Sequence, residues 1–275
     1  GPYEVVEYVT NSHVVLEARD DYWGEAPAIK RIYFKVMDED AQRVNAVEIN
    51  EADYARVPTR DVAYVESLGT HSVIPLSTAQ ALVVYLNCNE NNIVGRSDVA
   101  REAIMYAIDR DSIVSLAFSG QSSAPRWPLS EANSDFGERL AGMDDVYKTG
   151  YDPAKAKELA EEAGLVGQTL RVTTNGSELY ITCAEIIQSN LEDIGVNVQI
   201  VNYDQASYNS VVGDDSLFEI AIYGASSPGY LAVDVFTNYP KFIPLGWTGE
   251  GHDSYMEQAA AASAIASMAE RSDAL

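Results

Sequence analysis

Along the chain, short runs of β-branched and aromatic residues give way to longer segments whose apolar positions recur every three or four residues. Tyr3–Val9 and His13–Ala18 are rich in Val and Tyr and flank Thr10-Asn11-Ser12, which predicts two strands joined by a turn. Ile32, Phe34 and Val36 alternate with polar residues, predicting a third strand with one buried face. Ala41–Val47 predicts a short helix, and Val57-Pro58-Thr59-Arg60-Asp61 a linker into another. Leu82–Leu86 predicts a strand that runs out at Asn87-Cys88-Asn89. From Ser97 to Gly120 the period is helical. Ala100, Ala103, Ile104, Ala107 and Ile108 form one stripe, Asp109-Arg110-Asp111 interrupts it, and Ile113-Val114 and Leu116-Ala117 resume it. With Ser97 and Asp98 as cap candidates and Gly120 as a stop, this predicts a buried core helix with a polar step.

Between Gly120 and Gly150 lies a polar stretch carrying Pro125, Trp127 and Pro128, too long for an ordinary connector. Asp152 as N-cap, Pro153 at the first helical position and Gly164 just beyond the end then bracket a helix that buries Ala156, Leu159, Ala160 and Ala163. A strand at Leu170–Thr174, a helix at Glu178–Ile194 and a strand at Val196–Ile200 form a β-α-β unit, which implies parallel pairing and a right-handed crossover. Asp204 caps a short helix ending near Gly213. Phe218, Ile220 and Ile222 predict another strand, followed by the Gly224–Gly229 loop. The Ala-rich segment Met256–Leu275 predicts a helix still running at the last residue.

Composition narrows the function. A net charge of −24 over 275 residues argues against nucleic acid and anionic lipid, both of which require a basic surface. No apolar run approaches the roughly 20 residues of a membrane helix. With no visible signal peptide, the chain is cytosolic, processed or a cut portion. Cys88 and Cys183 are expected to be two free thiols, and there is no Cys-x-x-Cys or Cys/His cluster for zinc. No catalytic motif is present. His13, His71 and His252 are far apart, and Glu250, His252 and Asp253 read as an exposed turn rather than a metal site. No catalytic residue, metal or cofactor is expected.

Several segments carry a further signal. Arg101-Glu102-Ala103-Ile104 followed by Ala107-Ile108-Asp109-Arg110 and Ile113 resembles the signature of the family 5 extracellular solute-binding proteins, the peptide, dipeptide and nickel receptors of ABC importers. Gly1-Pro2-Tyr3, Leu16-Glu17, Asp21-Tyr22-Trp23-Gly24, Ile32-x-Phe34, Asn50-Glu51-Ala52-Asp53 and the run Tyr151–Gly164 follow the family's order. The family's Pro-Pro-Phe is missing, and Asn91-Asn92-Ile93-Val94-Gly95 stands in its place. The resemblance covers nearly the whole chain. It implies an α/β, type II periplasmic-binding-protein-like fold of two lobes, with mixed sheets and flanking helices, truncated at both ends. Residues 1–118 would belong to the first lobe, with a β-meander, helices and core helix 98–110. Residues 119–275 would form the second lobe, with the crossover loop, the β-α-β unit, a ligand-side strand at 217–223 and a C-terminal helix cut short.

The resemblance also implies a binding protein rather than an enzyme. It would capture a small peptide or similar solute between its lobes and deliver it to an ABC permease and ATPase complex. The protein would be an extracellular or periplasmic monomer, tethered by a lipid anchor outside this chain. The ligand-binding candidates carried over are Tyr85 and Asn87; Arg126 and Trp127; Asn175, Ser177 and Tyr180; and Tyr223, Gly224, Ala225, Ser226 and Ser227. For Trp127 and Tyr180, core packing and ligand contact are equal alternatives. The ligand main chain is expected to pair with the edge of the strand ending at Tyr223-Gly224-Ala225. Ala225 stands where family members that bind peptides carry Trp, and Ser226-Ser227-Pro228 offers no acid for a peptide ammonium group. A hydrolase, or a sensor or chaperone module on the same fold, are the rival readings.

Overall fold

Three antiparallel strands open the chain: β1 (Tyr3–Val9), β2 (His13–Ala18) and β3 (Arg31–Lys35), in the order β1-β2-β3. The computed structural model describes residues 1–76, 80–124, 133–135, 150–214, 216–226, 232–235, 237 and 247–274. Two units divide it, Gly1–Ile74 and Pro75–Leu275.

In the first unit, the register places Val5, Leu16 and Ile32 in one row and Tyr8, Val14 and Phe34 in the next but one. These rows share a face because residues directly opposite each other point the same way and alternate rows change sides. Val15, in the intervening row on the other face, is completely buried. The expected burial of the Ile32, Phe34 and Val36 face is corrected, since Phe34 and Val36 are about half exposed. Helices α1 (Asp40–Glu48) and α2 (Val62–Ser67) contribute a small core of Val44, Ala46, Val47 and Val65. Arg43 organises the connection between them, donating to the carbonyls of Met37, Asp38 and Arg56 and pairing with Asp40. The aromatic loop at Tyr22-Trp23 is not anchored in this core. Trp23 is 90% exposed and packs against Tyr22, ring centroids 5.2 Å apart.

The second unit is built on a mixed sheet of β4 (Gln80–Leu86), β5 (Thr169–Thr174), β6 (Asn197–Asn202) and β7 (Ile220–Ser226), in the order β4-β7-β5-β6. β5 runs parallel to β6 and β7, while β4 is antiparallel to β7. The β-α-β expectation holds: β5 is followed by α6 (Glu178–Asp193) and then β6, with Cys183, Ala184, Ile187 and Leu191 on the buried face. One side of the sheet is covered by α3 (Asp98–Ala107), α4 (Arg110–Ala117), α5 (Pro153–Glu162) and α6, whose Ala100, Ile104, Ala160 and Ile187 join Val172 and Ile220 in the main core. The other side carries a smaller cluster of Tyr85, Phe218 and Ala221 with Tyr208 and Val212 of α7 (Gln205–Val212).

Local chemistry accounts for the boundaries. Asp152 accepts from the Lys155 N–H at 3.0 Å with Pro153 in the first turn, and Gly164 takes φ +69°, ending α5 as the sequence indicates. Ser97 accepts from the Ala100 N–H at 3.2 Å and starts α3. The single core helix with a polar step expected from Ser97 to Gly120 is corrected to two helices, the first close to the 98–110 span. Ile108 is extended, and Asp109 caps α4 by accepting from the Ser112 N–H at 3.1 Å and the Ser112 hydroxyl at 2.5 Å. The polar step is an N-cap. The last helix likewise divides, into α8 (Glu250–Ser263) and α9 (Met268–Ala274), and starts earlier than expected. The boundary placed at 118/119 falls within the second unit, where α3 packs against α5. Both cysteines are free thiols, Cys183 buried and Cys88 half-buried.

Candidate functional site

Because β5, β6 and β7 are parallel, their carboxyl ends emerge on the same side of the sheet, the side where open α/β sheets place ligands. The turn after β5 carries Asn175 and Ser177 into α6. Asn175 Oδ1 accepts from the Ser177 N–H at 3.1 Å, and Asn175 Nδ2 donates to Gln205 Oε1 at 3.0 Å in the first turn of α7. Thr174 Oγ1 donates to Asn202 Oδ1 at 2.7 Å and accepts from the Gly176 N–H at 3.1 Å. Gly176 holds φ +76°, with the Tyr203 carbonyl against the place a side chain would occupy. Side-chain amides and hydroxyls thus tie the two turns into one polar rim.

An aromatic group lies beside it. Tyr223 stacks on Tyr208, centroids 6.0 Å apart at 16°, and meets Tyr85 edge-on at 6.1 Å. The Tyr208 hydroxyl donates to the Ile222 carbonyl at 2.5 Å. The Tyr180 phenol oxygen lies against Gly224, and any Cβ at Gly224 would overlap it. Burial pushes both the Tyr208 and Tyr180 phenols above their ordinary pKa. Both are neutral hydrogen-bonding groups at physiological pH.

Asn175, Ser177, Tyr180, Tyr223 and Gly224 therefore gather at one end, with Tyr85 packed against Tyr223 but 6% exposed. The backbones of Ala225 and Ser226 continue β7 there. Asn87 does not join them. It is fully buried at the far end of β4, donating to the Phe218 carbonyl at 2.7 Å and accepting from the Asn89 N–H at 2.8 Å, a structural role. Arg126, Trp127 and Ser227 lie outside the described residues. The edge-strand expectation is corrected, since β7 is central. β4 pairs along its length and β5 pairs with it at Val172–Ile220 and Thr173–Ala221. Sequence reasoning missed Tyr208. Its spacing to Val211 and Val212 signals burial, but nothing in the pattern indicates its bond to β7.

A cleft of about 290 Å³ opens at the opposite end of the sheet, beside Asn89, Asn92, Arg171 and Glu219. Its polar groups hold the fold: Asn89 Oδ1 accepts from Asn91, Asn92 Oδ1 accepts from Val94, and Glu219 pairs with Arg171. His252 and Glu250 fall in the first turn of α8 rather than an exposed turn. Among the described residues, no three of His, Cys, Asp and Glu come together as a metal site, and no helix is long and apolar enough to cross a membrane.

Residues 1–240 match the family model described as "Bacterial extracellular solute-binding proteins, family 5 Middle". The chain is 27% identical over 221 residues to the oligopeptide-binding protein AppA of Bacillus subtilis, covering 74% of this chain and 39% of that protein. It is 27% identical over 240 residues to the nickel-binding periplasmic protein of Escherichia coli, covering 75% of this chain and 42% of the relative. The fold superposes with TM-score 0.81 on a periplasmic oligopeptide-binding protein from Thermotoga maritima at 17% identity, covering all of this chain and 57% of the other. The chain thus spans less than half of these curated relatives. The α/β periplasmic-binding-protein fold is the one expected, and the chain belongs to the family 5 bacterial extracellular solute-binding proteins, which are binding proteins and not enzymes.

Proposed function

We propose that this chain is the solute-reading part of an extracellular or periplasmic receptor of an ABC import system. The receptor captures a small peptide or a similar small solute between two lobes and delivers it to a membrane permease and its ATPase. Closure of the lobes is a population shift driven by contacts made only in the closed state. The observation that carries this reading is the meeting of Asn175, Ser177, Tyr180 and Tyr223 at the carboxyl ends of parallel strands, in a chain of this family. Relatives named for oligopeptides and for nickel leave a choice of solute class. Tyrosines and carboxamides favour a neutral or zwitterionic organic solute, held by stacking and hydrogen bonds. The absence of an acid between Ala225 and Ser227 favours one without a free ammonium group at that place. The receptor works as a monomer, tethered to the membrane by a lipid anchor.

Native mass spectrometry of protein purified from its own host tests this. The expected result is a bound organic solute of peptide size or smaller. Turnover of ester, amide or glycoside substrates by the purified protein would overturn it.

A further inference from the structure

The turn between β5 and α6 carries the one Asn-Gly pair in the chain, Asn175-Gly176. Both positions are imposed by the fold. Gly176 holds φ +76°, and a Cβ there would lie 3.1 Å from the Tyr203 carbonyl oxygen, so any side chain is strained in conformation and short of room. Asn175 must accept and donate at once. Its Oδ1 accepts from the Ser177 N–H at 3.1 Å, and its Nδ2 donates to Gln205 Oε1 at 3.0 Å. An ionised aspartate could do only the first. The same pair is open to attack by its own backbone, because glycine leaves the peptide nitrogen unshielded beside the side-chain amide. Asn175 is half-buried and Gly176 exposed, so water reaches the turn.

We propose that Asn175 is a deamidation site that the fold holds in check, with its bond to Gln205 as the restraint. In the reaction the Gly176 nitrogen gives up its proton to solvent base and forms a bond to Asn175 Cγ. The Cγ–Nδ2 bond breaks, and Nδ2 leaves as ammonia. Water then opens the cyclic imide at either carbonyl, giving aspartate or isoaspartate. In the folded turn each reacting group is occupied. The Gly176 N–H donates to Thr174 Oγ1 at 3.1 Å, which keeps solvent base from it. The Asn175 amide is held at both ends and is not free to rotate onto that nitrogen. Gln205 is the weakest of these restraints, an exposed side chain steadied only by its own bond to Asn209 Oδ1 at 2.9 Å. Conversion is self-reinforcing, since the new carboxylate oxygen would face Gln205 Oε1, acceptor against acceptor, and the tie between the two turns is lost. It leaves negative charge on a rim of amides and hydroxyls. The modification does not depend on the receptor reading above.

Peptide mass spectrometry on the 275-residue chain tests this, with aspartate and isoaspartate at Asn175 measured over time in mildly alkaline buffer. Wild type is followed both folded and in urea, beside folded Gln205→Ala and Gln205→Glu. Folded wild type should convert about tenfold or more slowly than wild type in urea, because the native rate is limited by how often the turn opens. Gln205→Ala should convert about threefold or more faster than folded wild type. Gln205→Glu still offers Nδ2 an acceptor and should stay near the wild-type rate. Gln205 is exposed, so both variants keep the fold, and an unreactive Cys183 verifies it. No conversion at Asn175 in urea would overturn the site, and equal rates folded and in urea would overturn its protection. These two wild-type arms decide without either variant. A Gln205→Ala rate no faster than wild type would overturn the role of Gln205.

Discussion

Arg171 holds Glu219 from three directions: its Nε donates to Oε2 at 2.8 Å, its Nη2 to Oε1 at 2.7 Å, and its own backbone N–H to Oε2 at 2.7 Å. The carboxylate side chain is only 11% exposed, and Asn92 adds a fourth bond at 3.1 Å. The pair pins β5 to the start of β7, at the end of the sheet opposite the solute candidates.

Burial alone would raise the Glu219 pKa, but Arg171 and Asn92 together hold it below the ordinary 4.5. A depressed folded pKa gives stability that is complete above the unfolded value and disappears as pH falls through the folded one. Glu219→Gln should cost about 1–3 kcal/mol at pH 7, discounted for the partly exposed Arg171. The gap in melting temperature between wild type and variant should shrink as the buffer is taken below pH ~4.5. A gap that widens in acid would contradict the assignment.

Asp109 is the joint between α3 and α4, and its bonds to Ser112 hold its carboxyl below the usual range. Asp109→Ala should lower stability by about 1 kcal/mol, while Asp109→Asn, still able to cap, should lose less. Urea midpoints at neutral pH rank the three proteins. Equal midpoints for the alanine and asparagine variants would remove the cap from the explanation.

Gly224 and Tyr180 are coupled sterically, and the obstacle at Gly224 is the free end of a ring that can swing. Gly224→Ala alone should therefore cost less than about 1 kcal/mol. In a Tyr180→Phe background it should cost still less, because the oxygen it meets is gone. A double-mutant cycle should return a coupling of about 0.5 kcal/mol or more, and a value near zero would mean the two sites are independent.

Burial raises the Cys183 thiol to about 11, so at pH 8 its thiolate fraction is on the order of 10⁻³. In the native protein a colourless disulfide reagent should leave Cys183 untouched and modify Cys88 slowly. Unfolding in guanidinium should release both thiols. Rapid native modification of Cys183 would place it outside the core.

The elements that the sequence makes plain are those decided within a few residues. Asp152-Pro153 and Gly164 bracket α5, and Ser97 starts α3, because caps and positive-φ glycines act locally. The family's wording at 101–113 and 151–164 then made the fold legible. What could not be read depends on partners far away in the chain. The family resemblance makes Asn87 a candidate ligand contact, yet its amide donates to the Phe218 carbonyl. The polar step at Asp109 reads equally as a decorated helix face or a cap until the backbone before it is seen to be extended. Tyr208 and Tyr180 meet β7 from two different helices, and helical spacing reports that a side chain is buried but not which peptide group it bonds. Trp23 stands exposed beside Tyr22, a placement that the run Asp21-Tyr22-Trp23-Gly24 does not specify.

The mixed sheet has a consequence for how the molecule is made. β5, α6 and β6 are contiguous and can assemble as soon as they leave the ribosome, but β4 must wait for β7, with the Asn87 and Phe218 contact closing a separation of 131 positions. At ordinary synthesis rates that interval is roughly ten seconds, during which the Leu-Val-Val-Tyr-Leu strand has neither edge paired. Such a segment is a template for association with other chains until its partner arrives. Newly made protein is thus most vulnerable to aggregation in the window between residues 86 and 220, and a holdase bound to β4 would protect it through that interval.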